Sequence, residues 1–201
     1  MLNATSVSDS LFERLRLGDP GAVDELFIAV YDRAVAITKG MLDGFPDFED
    51  EHQAGSFVHL GYIDVRTALK TVRPRNLQEF LGLVIHKVRC ILLDLAEKER
   101  RRRGLLAGNH DRFDAEGAAS GPDPSTVVDR LEAWSRFHQA VGELPDHLRV
   151  VFELDFYTDP ALKTSEIAKV VGVSVDVARR RLAKARALVA ERVVDCESLF
   201  S

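Results

Sequence analysis

One of two basic clusters in the chain is the run Arg179, Arg180, Arg181, Lys184 and Arg186. A guanidinium donates as a fork that matches phosphate oxygens or the O6/N7 edge of guanine, whereas an ammonium acts as a point charge for phosphate. The segment just before it, Ser165-Glu166-Ile167-Ala168-Lys169-Val170-Val171-Gly172-Val173-Ser174, reads as a short helix, a tight turn and a cap. Ile167, Ala168 and Val171 face inward. Gly172 supplies the positive φ of the corner, Val173 fills the angle between helices, and Ser174 caps the second helix. On that helix Ala178, Leu182, Ala185 and Val189 point inward. Asp176, Arg180, Lys184 and Ala187 point outward, with Arg179 on the shoulder. Residues at the start of such a helix reach base edges, which places Asp176, Val177, Arg179 and Arg180 there, next to the cap Ser174. Lys184 and Arg186 are placed to hold phosphates. Arg181 lies nearer the apolar face and divides between packing and nucleic acid. A solvated basic helix on an ordinary bundle is the plainer alternative, but it has no use for the Gly172-Val173-Ser174 corner.

Other chemistry finds less support. Glu49-x-x-His52 has the spacing of a helical di-metal ligand pair, yet no second copy exists in the chain, so a solvated acidic helix start is the better reading. Cys90 stands beside Lys87 and Arg89, where a thiolate would be favoured, but it has no partner thiol nearby. His86, His110, His138 and His147 are scattered, and no nucleophile has an identifiable base. Trp134 and Phe137 read as core rather than a stacking platform. Neither catalysis, a metal nor a cofactor is expected.

The elements that must position these groups are helical almost throughout. Of 201 residues 46% are hydrophobic, enough for a real core, and no apolar run is long enough for a membrane span. Met1 to Leu17 lacks the order of a signal peptide, and Cys90 and Cys196 form no disulfide framework, so a cytoplasmic protein without membrane contact is expected. The net charge of −5 is unevenly spread: acids dominate between Asp19 and Asp64, and Lys98 with Arg100 to Arg103 forms a second basic cluster. Asp19-Pro20 predicts a capped helix with Val23, Leu26, Phe27, Val30, Ala34 and Ile37 inward, interrupted from Gly40 to Pro46. A second helix is predicted over about 50–71, then a polar loop to Glu79. A third carries Leu81, Val84, Ile85, Val88, Ile91, Leu92 and Leu95 on one stripe and ends in the arginine cluster. From Gly104 to Ser125 glycine, proline and acids replace the periodicity, which predicts a flexible linker. Helices resume with Val127, Leu131, Trp134 and Val141, and restart after Leu144-Pro145. The fold class expected is all-α: two helical bundles over 1–103 and 127–201, joined by an acidic linker over 104–126.

Leu144-Pro145, Glu166-Ile167-Ala168, Gly172-Val173-Ser174 and Val177-Ala178-Arg179-Arg180-Arg181-Leu182 with Lys184-Ala185-Arg186 together resemble domain 4 of bacterial RNA polymerase sigma factors. Asp123-Pro124-Ser125 and the helix carrying Trp134 are placed as in the small extracytoplasmic-function (ECF) branch. Gly18-Asp19-Pro20-Gly21-Ala22 with Leu26-Phe27 and Tyr31 resembles the opening of sigma domain 2. The resemblance implies a transcription initiation factor that reads the −35 element with the basic helix. It assigns −10 contacts to the loop residues Arg73, Arg75 and Asn76 and to Lys87, Arg89, Lys98 and Arg101 on the third helix. Asp47, Glu49, Asp50 and Gln53 match the segment that contacts the β′ clamp helices of core RNA polymerase, and the second domain would meet the β flap. It also allows an anti-sigma factor as a partner and a role for the negative linker as a nucleic-acid mimic in the RNA exit path. Glu51 and His52 depart from the apolar residues usual in the family, and Cys90 from Asn or Arg. The rival is a helix-turn-helix regulator with a helical sensing or dimerisation domain; a helical metalloenzyme is more distant.

Overall fold

Asp19 caps a helix as its place before Pro20 predicts. Its carboxylate accepts from Gly21 N at 2.9 Å, and Arg14 Nε donates to its other oxygen at 2.7 Å. The computed structural model describes residues 4–43, 45, 51–110 and 124–193, and these form helices with no strand among them. They are α1 (Ala4–Arg16), α2 (Pro20–Leu42), α3 (Glu51–Ala68), α4 (Leu77–His110), α5 (Pro124–Gly142), α6 (Asp146–Phe156), α7 (Thr164–Val171) and α8 (Val175–Arg192). The all-α class is that predicted from spacing.

Boundaries differ where local signals lose to packing. α2 runs through Gly40 to Leu42, because Met41 and Leu42 are buried and hold the last turn. α4 runs seven residues beyond Arg103, so the stretch 104–110, predicted as linker, is helical. Gly104 and Gly108 each cost a helix only about 1 kcal/mol. Glu97 and Glu99 bridge to Arg100, Arg101, Arg102 and Arg103 three and four residues on, which supports the turns before them. The remaining linker acids lie outside the described residues. α1 is not among the helices predicted from spacing; Leu11, Phe12 and Leu15 are its buried face.

α4 is the spine. It packs on α2 and α3 on one side and on α5 and α6 on the other. Buried residues from Leu11 to Val193 form one cluster, so the halves expected as tethered bundles share a core here. Trp134 of α5 donates from Nε1 to the carbonyl of Met41 in α2 at 2.9 Å, with Phe45 edge-on to its ring. Gly40 lets α2 cross the end of α6 backbone to backbone, since a Cβ there would come within 2.3 Å of Tyr157 O.

Candidate nucleic-acid interface

α7 is opened by Glu166, whose carboxylate accepts the Lys163 N–H at 2.8 Å, and it buries Ile167, Ala168 and Val171. Gly172 then turns the chain with φ 66°, a conformation that costs other residues strain. Val173 packs against the core from the corner, and Ser174 caps α8 by accepting from Val177 N at 3.3 Å. Ala178, Leu182, Ala185 and Val189 of α8 are buried, as predicted. The opposite face is turned to solvent, and of its cations only Arg186 is paired back to α6 among the described residues. Asp176, Arg179, Arg180, Lys184 and Arg186 are exposed, while Val177 and Arg181 are half-buried. Two of the cations are held by acids: Arg179 donates to Asp176 at 2.9 Å, and Arg186 to Asp155 of α6 at 2.6 Å. Among the described residues Arg180 and Lys184 have no ion-pair partner. The helix thus offers Arg180 and Lys184 unpaired, with Arg179 braced beside them and Arg186 braced farther along.

The second basic surface lies along the loop before α4 and on α4 itself. Arg73, Arg75 and Asn76 are exposed. Asn76 Oδ1 caps α4 by accepting from Glu79 N at 2.8 Å, and Glu79 in return accepts Arg75 N at 2.8 Å. The loop is therefore shaped by a reciprocal cap that leaves the arginine side chains outward. Lys87 is half-buried; Lys98 and Arg101 are exposed. The arginine cluster is not bare charge. Arg100 and Arg101 both donate to Glu97, at 2.9 and 2.6 Å, and these bonds hold the Glu97 carboxyl down at about 2.

Arg89 stands apart from the other predicted nucleic-acid contacts. It is only 2% exposed, and its Nη2 donates to Glu153 Oε1 of α6 at 2.5 Å. No duplex can reach it in this conformation. Burial works against its charge, but Glu153 and Tyr157 outweigh it and the guanidinium is held more firmly protonated than usual. At 100° per residue Arg89 falls within the stripe of Ile85 and Leu92, and Glu153 sits among Val150, Val151, Phe152 and Leu154. A charge inside an apolar face requires an opposite partner, and that signal is present in the sequence. Next to the pair, the Tyr157 hydroxyl lies 3.1 Å from His138 Nδ1. Burial first and Arg89 second push His138 well below its ordinary value.

The remaining predicted sites divide. Gln53 lies half-buried on α3, and Asp47, Glu49 and Asp50 fall outside the described residues. Cys90 is exposed, with Sγ 3.9 Å from His86 Nε2. Among the described residues no group of three or more His, Cys, Asp or Glu could hold a metal ion. No helix there is long and apolar enough to cross a membrane.

The family model described as ECF sigma factor matches residues 4–195, nearly the whole chain. The chain belongs to the ECF sigma factor family. None of the curated proteins matches it. As an ECF sigma factor it is a transcription initiation factor, one that binds core RNA polymerase and promoter DNA. Both α8 and the loop at 72–76 carry cations outward.

Proposed function

We propose that this sigma factor directs core polymerase to promoters by reading a −35 element with α8 and a −10 element with the loop before α4. The observation that carries the reading is the separation of faces on α8. Ser174 and Gly172 set the helix at a corner, four small or apolar residues anchor it, and Arg179, Arg180 and Lys184 stand in solvent. Asp176, Val177, Arg179 and Arg180 meet base edges; Lys184 and Arg186 meet phosphates. On the −10 side Arg73, Arg75 and Asn76 provide the contacts, with Lys98 and Arg101 on the duplex backbone upstream. Asp47, Glu49, Asp50 and Gln53 meet the β′ clamp helices and the second half of the chain the β flap. The acidic stretch between α4 and α5 joins the two readers, and an anti-sigma factor would compete for the same surfaces.

The test is run-off transcription with core polymerase on a library of upstream fragments. Discrete start sites sharing a −35 and a −10 sequence are expected. Tight binding to core polymerase without any start site would overturn the reading. Protection of a palindrome by the protein alone would favour the regulator instead.

A further inference from the structure

Asp155 stands where its own helix has no use for it. It lies in the last turn of α6, at the negative end of the helix dipole, and no basic residue shares that turn. Its side chain is 17% exposed, and α6 packs on α8, so the carboxylate is anchored where two packed helices meet. Arg186 of α8 donates to it from Nη2 at 2.6 Å, across 31 residues of sequence. Only that nitrogen is engaged. Among the described residues Arg186 Nε and Nη1 have no hydrogen-bond partner, and the side chain is 61% exposed. The pair differs from Arg179 with Asp176, which are three residues apart on one helix and both exposed, an arrangement that contributes little.

Six residues along α8 from Arg180, Arg186 points about 120° around the helix from it. A helix about 10–12 Å across nearly fills a major groove about 12 Å wide. When Arg180 faces the base edges, Arg186 therefore faces the phosphates of one wall. An untethered arginine there would neutralise phosphate on any duplex, which adds affinity without sequence information. An arginine tied to a carboxylate offers a passing duplex little net charge, yet keeps Nε and Nη1 for a phosphate oxygen brought to a fixed place. We propose that Asp155 is a positioning residue for promoter specificity, holding Arg186 so that its guanidinium takes a phosphate only when α8 is fully seated on its own sequence. The proposal rests on the −35 reading above and adds to it a residue outside the recognition helix. The carboxylate lowers sequence-blind affinity while it fixes the register of α8 in the groove.

The test is a double-mutant cycle on the full chain assembled with core polymerase: Asp155→Asn, Arg186→Ala and both together, beside the unaltered protein. Dissociation constants are measured at several salt concentrations, on a promoter fragment from the run-off library and on a random duplex of equal length. Core polymerase contributes alike to every variant, so differences among them belong to Asp155 and Arg186. Asp155→Asn should tighten the random duplex and steepen its salt dependence by about one phosphate contact. It should lower the ratio of promoter to random affinity on the order of tenfold. With Arg186→Ala already present, the same substitution should leave slope and ratio where they were. An unchanged slope and ratio in the single variant overturns the proposal, as does an equal change with and without Arg186. Equal weakening on both duplexes, together with a lower thermal midpoint, marks a mere brace between helices and overturns it too. If no fragment directs a transcript, the −35 reading fails, and the random-duplex slopes then decide by themselves whether Asp155 restrains Arg186.

Discussion

Gly172 and the cations beyond it set the behaviour expected of single residues. With φ 66° and nothing within 4 Å of where a methyl would stand, Gly172→Ala meets backbone strain rather than a clash. The substitution should lower stability by about 1–2 kcal/mol, read as a drop in thermal midpoint. Arg180 has no competing acid among the described residues, so Arg180→Ala should relax preference at one position of the −35 element, by ~1–3 kcal/mol if its fork meets guanine. Lys184→Ala should weaken binding to all sequences alike and reduce its dependence on salt. A binding titration across single-base variants at two salt concentrations separates them; identical behaviour would show that the division of α8 is mistaken. This surface is legible in the sequence because every signal on α8 agrees: cap, corner, period and charge. The burial of Arg89 is harder to read, because its charge draws it toward DNA while its angular position places it in the core.

Between elements, the contact of α4 and α5 with α6 is where pH should act. Burial and the neighbouring Arg89 depress the His138 pKa below its ordinary 6.5. The unfolded chain therefore binds a proton at His138 that the folded chain refuses, and stability falls as pH drops below about 6.5. Above that value the group is neutral in both states and contributes no slope. Unfolding midpoints between pH 7.5 and 5 should show the loss, and His138→Phe should flatten it. Gly40→Ala tests the neighbouring crossing. A methyl 2.3 Å from Tyr157 O must push α2 from α6, so the thermal midpoint should fall by more than for an exposed glycine in a helix. Most elements are legible from spacing and caps. Their ends are not, because Met41 and Leu42 hold α2 together past Gly40, and ion pairs along α4 carry it beyond its expected stop.

For the whole molecule, the helical class and the basic helix can be read from local patterns, whereas the packing of one half on the other cannot. That packing depends on pairs distant in sequence: Arg89 with Glu153, Trp134 with Met41, Gly40 with Tyr157. None has a period or a motif. Only the presence of charges within apolar stripes hints that two faces must meet.

Trp134 is the single tryptophan in the chain, and its indole is buried at the seam between the halves. The molecule therefore carries its own optical gauge. In the free protein its emission should be that of a sheltered indole, with the His138 ring 4.0 Å away. Glu153→Gln leaves Arg89 without its partner beside that indole and should shift the emission to the red, so unlabelled protein in a cuvette can report how well the seam is packed.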